Sequence, residues 1–252
     1  MIDAHNTIVF APEFNSHNKK ADATGAFQPE ARRFMKRHGI SSDLYHLIDN
    51  TGRGKPGGKP GPKDKARMKR QVLEAIDSVL QANVELRGVA IFSHGYRTGI
   101  QFGFTNKDAG ALASSIACAS HPTVRVPLYA CDTGRDADRK REDDLEAFGG
   151  DGGFADTLRD ALCVQAARDN MVWAHTTAGH TTRNPHVRLF PGLGSEYGNT
   201  GGFYVVARSN RKLWNAWRNA LRAKGSTLRY DFPFMEVAEI HRYLATLIDG
   251  GA

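Results

Sequence analysis

Two short segments of the sequence carry residue types that can do covalent chemistry. Ile91-Phe92-Ser93-His94-Gly95 and Leu128-Tyr129-Ala130-Cys131-Asp132-Thr133-Gly134 each run an apolar stretch into a reactive side chain with glycine following. A thiolate attacks an acyl carbon far better than a thiol, so a nucleophilic cysteine needs a base beside it, and the developing oxyanion needs hydrogen-bond donors. Cys131 is the candidate nucleophile and His94 the candidate proton acceptor and donor, with the backbone amides of Gly95 and Cys131 as candidate oxyanion donors. Glycine at 95 suits this role, since a side chain would obstruct a substrate carbonyl and restrict the turn after the strand. Alone, a histidine after a strand is an ordinary polar edge residue and a cysteine an ordinary small core residue. Among ten histidines and three cysteines, this pair stands at equivalent ends of two successive apolar runs.

Elements that could position such a pair alternate along the chain. Strands are expected at Thr7–Ala11, Leu44–Ile48, Gly88–Phe92, Val124–Tyr129 and Met171–Ala174, from short apolar runs. Helices are expected at Gln28–His38, with Pro29 in its first turn and Gly39 just past its end, and at Lys65–Ala82, Asp108–Ala119 and Phe154–Ala167. This alternation predicts an α/β fold, a three-layer αβα sandwich on a mostly parallel sheet, whose chemistry sits at the carboxyl ends of the strands. The pattern then breaks: Gly192–Gly202 is glycine-rich, Phe203–Ala207 reads as a strand, and helices follow at Arg211–Ala223 and Met235–Leu247. One domain over residues 1–252 is expected, with 1–190 as the α/β core and 191–252 packed on it. Trp214 and Trp217, three apart, read as core packing on one helical face.

The two reactive segments, together with a third, resemble a known family. Ser93-His94-Gly95 and Tyr129-Ala130-Cys131 are similar to the histidine and cysteine blocks of the caspase-like (clan CD) cysteine peptidases, and Ala130-Cys131-Asp132-Thr133-Gly134 is closest to the CHAT form. Met171-Val172-Trp173-Ala174-His175-Thr176-Thr177-Ala178-Gly179, followed by Arg183-Asn184, resembles the strand after the catalytic cysteine and the arginine that lines the substrate groove. The resemblance implies a caspase-like fold and peptide-bond hydrolysis through an acyl-enzyme, with Cys131 and His94 as a dyad acting on a protein or peptide substrate without a cofactor. It places Arg183 and Thr177 at the substrate. Tyr129 and Asp132 depart from the caspase pattern of a glutamine before the alanine and an arginine after the cysteine. Arg183 would favour an acidic substrate residue, and Asp132 or Asp151 a basic one. In this family the loop corresponding to Thr133–Asp144 is often where self-cleavage occurs. Its alternating acids and bases read first as a solvated surface loop.

Composition bounds the remaining possibilities. The net charge is +7, and between Thr51 and Arg70 eight basic residues stand against Asp64 alone, so this one segment accounts for the whole surplus. With five glycines and three prolines, Gly52–Pro62 is expected to be a mobile surface loop. The segment 52–70 could dock an acidic partner, but no aromatic residue interrupts it as a nucleic-acid stacking platform would. Three cysteines without metal-ligand spacing argue against a disulfide framework and for a reducing compartment. No window approaches the apolar length of a membrane span, and residues 1–6 show no export signal, so a soluble, cytoplasmic protein is expected. His175, His180 and His186 invite a metal site, but His175 and His180 are five apart on a strand and loop and would not share a face, so no metal is assigned. Gly149-Gly150-Asp151-Gly152-Gly153 lacks the lysine of a phosphate-binding loop and reads as a flexible hinge. Three functions remain open: a cysteine endopeptidase, a catalytically silent caspase-like binding module, and a Cys-His hydrolase of another acyl bond such as a cell-wall amide.

Overall fold

A computed structural model of the 252-residue chain describes all residues except 1–3, 15, 18–19, 22–26, 56–57, 139–148, 166, 180, 193–200 and 251–252. Seven strands form the central sheet: β1 (Thr7–Pro12), β2 (Tyr45–Ile48), β3 (Leu86–Phe92), β4 (Ser120–Tyr129), β5 (Met171–His175), β6 (Val187–Pro191) and β7 (Phe203–Tyr204). Their order is β7-β6-β5-β4-β3-β1-β2. The five strands β1 to β5 pair in parallel, while β6 pairs antiparallel with both β5 and β7. The expected α/β class and mostly parallel sheet are therefore observed.

The helices longer than two turns are α1 (Phe27–His38), α2 (Pro62–Gln81), α3 (Ala109–Ala119), α4 (Phe154–Val164), α5 (Arg211–Arg222) and α6 (Val237–Asp249). Each of the first four connects two parallel strands, as a crossover between such strands requires. Helix α1 shows how local chemistry sets the limits. Glu30 lies in its first turn and Lys36, Arg37 and His38 in its last, complementing the helix dipole. Gly39, at φ +62°, then turns the chain so that the Ile40 amide donates to the Met35 carbonyl at 3.0 Å. Its apolar stripe buries Phe34 among Phe92, Tyr129, Tyr230 and Phe234. Helices α2, α3 and α4 pack side by side, and α1 packs with the carboxyl-terminal segment around Leu228–Phe234, consistent with layers on both sheet faces.

The chain leaves β1 for β2 on one side and returns to β3 on the other, so the loops after β1 and β3 diverge at the carboxyl edge. In open α/β sheets such a switch of direction opens a crevice. The strand β6 was not expected, and its antiparallel course has a topological consequence. After β5 ends at the carboxyl edge, β6 runs back and β7 returns, so α5 starts again at the edge that carries the loops of β3 and β4.

Both glycine-rich loops make specific contacts. In the basic loop Gly52 and Lys55 form a bridge, the Gly58 amide donates to the Lys55 carbonyl, and the Asp64 carboxylate accepts from the amides of Gly61 and Arg53. Glycine permits this self-contact, because a methyl group at Gly52 would meet the Gly58 backbone. Ion pairs engage Arg67 with Asp49 and Asp64, Lys69 with Asp108, and Arg70 with Glu74, which reduces the bare positive surface open to an acidic partner. The glycines at 149–153 are likewise packed. A methyl group on Gly149 would sit 2.5 Å from the Arg188 guanidinium, and one on Gly153 would overlap the Arg135 carbonyl.

Candidate active site

The strands β3 and β4 run parallel with Ile91 opposite Leu128 and Phe92 opposite Tyr129. His94 and Cys131 each stand two residues beyond this matched pair, so both emerge at the same margin from neighbouring strands. The two loops touch. A methyl group added at Gly95 would lie 2.5 Å from the Cys131 carbonyl oxygen and 2.8 Å from both Ala130 Cβ and Thr133 Cγ2. Glycine at 95 is thus required by close packing against the cysteine loop. Its backbone is not in the left-handed region, so the turn itself does not demand glycine.

Several contacts hold the histidine segment. Ser93 is fully buried and its hydroxyl donates to the His94 carbonyl at 3.0 Å. The Gln101 amide donates to the same carbonyl at 2.8 Å, and the His94 amide donates to Gln101 Oε1 at 3.3 Å. These bonds anchor a small hairpin, Gly95–Tyr96 with Gly99–Ile100, that the sequence reading did not anticipate. The half-buried His94 ring meets the ring of Phe27 edge-on, with centroids 4.9 Å apart. Helix α1 therefore braces the imidazole from its first residue.

The cysteine loop is fixed from below. Thr133 Oγ1 donates to the Ala130 carbonyl at 3.0 Å, the Gly134 amide donates to the His175 carbonyl at 2.9 Å, and Arg188 Nη1 donates to the Gly134 carbonyl at 3.3 Å. Arg188 is wholly buried, with its guanidinium over the Tyr204 ring at 4.6 Å, so β6 and β7 clamp the loop. Asp132 adopts φ 58°, a left-handed backbone uncommon outside glycine. Such strained positions cluster at functional sites. Half-buried Cys131 points its thiol at the Gly179 carbonyl, 3.9 Å from the sulfur, whereas Cys118 is exposed and Cys163 buried. Tyr129, the departure from the caspase block, turns into the core: it stacks on Phe92 at 4.4 Å, and its buried hydroxyl donates to the Arg229 carbonyl at 3.2 Å.

Beside Gly179 opens a cleft of about 710 Å³ lined by Thr177, Arg183, His186, Arg208, Trp214, Arg218 and Arg222, among others. The structure thus places Arg183 and Thr177 on one cleft wall. Asp132 and Asp151 are not among its lining residues. Asp132 lies 3.9 Å from the Arg135 guanidinium, and exposed Asp151 is bound through its backbone to Asp136 and Ala137. The loop bearing Arg183 is closed by Asn184, whose Nδ2 donates to the Thr177 carbonyl at 2.9 Å. Buried Thr182 donates to Glu30 Oε2 at 2.6 Å, and Tyr230 donates to the same oxygen at 2.7 Å. Burial alone would raise the Glu30 pKa, but these bonds together with Arg229 and Arg33 outweigh it and hold the carboxyl below its ordinary value.

Arg208, Trp214, Arg218 and Arg222 were not anticipated as site residues. Trp217 is core, its indole donating to the Pro185 carbonyl at 2.9 Å, but Trp214 reaches the cleft edge-on to His186 at 5.1 Å. Trp214, Arg218 and Arg222 recur every four residues, one stripe of a helix, and that spacing was the available signal. His175 is buried and pushed down to about 4, chiefly by burial. His180 lies outside the described residues, and among those described no group of three metal-ligating side chains occurs. The segment 139–148, within the loop considered for self-cleavage, also lies outside them. No described helix is long and apolar enough to cross a membrane. Compared with known proteins, the chain matches no family model, and no curated protein and no solved structure matches it.

Proposed function

We propose that the chain is a cysteine endopeptidase of the caspase-like kind, acting through Cys131 and His94. The observation that carries this reading is the matched pair Phe92 and Tyr129, which brings the imidazole and the thiol out at one margin, with Gly95 packed on the Cys131 carbonyl. In the proposed reaction His94 accepts the Cys131 proton and the thiolate sulfur bonds to the substrate carbonyl carbon, whose oxygen takes up the displaced electron pair. The amides of Gly95 and Cys131 are the proposed donors to that oxygen. Collapse breaks the C–N bond, and His94 returns its proton to the leaving amine. Water then adds to the thioester while His94 takes its proton, and breaking the C–S bond restores the thiol.

The test is digestion of an unbiased peptide library beside a peptidoglycan digest, with Cys131→Ala and His94→Ala as controls. The proposal expects peptide cleavage that both substitutions abolish. Cleavage of the cell-wall amide alone would assign the dyad to another acyl bond. Biological activity that survives Cys131→Ser would favour a silent binding module.

A further inference from the structure

The cleft beside Gly179 has a one-sided chemistry. Four guanidinium groups, from Arg183, Arg208, Arg218 and Arg222, line it, and among the described residues no aspartate or glutamate lines the wall. None of the four forms an ion pair with a described carboxylate. Several arginines elsewhere do form ion pairs: Arg37 with Asp231, Arg125 with Glu236 and Arg159 with Asp156. Within one of these guanidinium groups Arg183 Nε, and in the same wall His186 Nδ1, are buried without a hydrogen-bond partner among the described residues. A buried guanidinium nitrogen gains by finding an acceptor, and an anion in the cleft would supply one. The arginines are also felt by their neighbour: burial first, and then Arg208, Arg218 and Arg222, hold His186 below its ordinary pKa.

We propose that this cleft is an anion subsite that seats a peptide segment bearing two or more adjacent negative charges, either clustered carboxylates or a phosphorylated side chain. Its role as a substrate subsite rests on the peptidase reading, whereas its occupancy does not. A single carboxylate engages one guanidinium in a bidentate pair and would leave the other arginines facing one another. A segment with several charges answers them together, and about 710 Å³ admits more than one side chain. The cleft also begins at the residue whose carbonyl meets the Cys131 sulfur, so a peptide seated there passes the nucleophile.

Binding is measured with Cys131→Ala protein, which removes turnover, by fluorescence anisotropy of three labelled peptides of one length. One carries a pair of glutamates, one a phosphoserine, and one glutamines at the same positions. The glutamate or phosphoserine peptide is expected to bind at least about tenfold tighter than the glutamine peptide at low salt, weakening as salt rises. Arg218→Gln combined with Arg222→Gln should remove about tenfold or more of that preference, while the charge-preserving pair Arg218→Lys and Arg222→Lys should keep part of it. Unchanged melting temperatures establish that the variants are folded, and single substitutions replace any double variant that is not. A preference for phosphoserine over glutamate, or the reverse, identifies the anion source, and both support the subsite. Equal binding of all three peptides, or a preference untouched by the glutamine variants, would overturn it. Selective binding without cleavage by the wild-type protein would leave the subsite standing and remove the peptidase reading. Cleavage of the glutamine peptide without anion preference would do the opposite.

Discussion

Replacing Gly95 by alanine tests how tightly the His94 and Cys131 segments meet. The added methyl would stand 2.5 Å from a backbone oxygen and 2.8 Å from two carbon atoms, whereas carbon contacts settle near 3.5–4.0 Å. Two of the three neighbours, the Cys131 carbonyl oxygen and Ala130 Cβ, are fixed by the main chain and cannot rotate away, so relief requires the 94–96 segment and the 130–133 segment to part by roughly 1 Å. Overpacking of this kind costs about 1–3 kcal/mol. For a chain of this size it lowers the melting temperature by about 2–12 °C. Misplacement of a reacting group by about 1 Å reduces rate about a hundredfold, so peptide cleavage should fall by that order. Gly110→Ala is the internal control, because α3 offers open space there and alanine should add about 0.5–1 kcal/mol. Thermal melts and turnover are recorded on both variants. If Gly95→Ala melts like the wild type and retains its rate, the two loops do not touch and the reasoning fails.

Other outcomes follow from buried titrating groups and from the clamp on the cysteine loop. His175 is neutral when folded, its pKa near 4 against an ordinary 6.5, so only the unfolded chain takes up this proton between those values. Stability should fall as pH drops from about 6.5 to about 4, by up to about 3 kcal/mol, and urea midpoints across that range should be flatter in His175→Gln. Glu30 is depressed, so its contribution is present above the ordinary carboxylate range and is lost as pH falls through its folded value. Glu30→Gln should cost about 3–5 kcal/mol at neutral pH by leaving Arg229 unmatched, with a flatter acid limb in chemical denaturation. Arg188→Met removes the donor to the Gly134 carbonyl, and limited proteolysis should then cut faster near residues 131–138 than in the wild type.

What could be read from the residues alone was local. Apolar runs such as Ile91-Phe92 and Leu128-Tyr129 announce buried parallel strands, and their ends locate His94 and Cys131, because parallel strands covered on both faces carry continuous hydrophobic runs. The strand Val187–Pro191 escaped notice because Arg188 interrupts its apolar run, and only tertiary structure reveals that this arginine is buried against Tyr204 and Gly134. Missing that strand also hid the route by which α5 returns to the carboxyl edge. Trp214 and Trp217 are visible as a helical pair, but sequence spacing does not tell which one meets the core and which one the cleft. Nor does sequence show the left-handed backbone of Asp132 or its carboxylate 3.9 Å from Arg135.

Relative alkylation rates of the three cysteines test the proposed dyad most directly. Cys118 is exposed and Cys131 only half-exposed, so access alone ranks Cys118 first. Activation of Cys131 by His94 predicts that limiting iodoacetamide, followed by mass spectrometry, modifies Cys131 fastest, and that His94→Ala slows it below Cys118. Labelling in the order of exposure, unchanged by His94→Ala, would contradict the account.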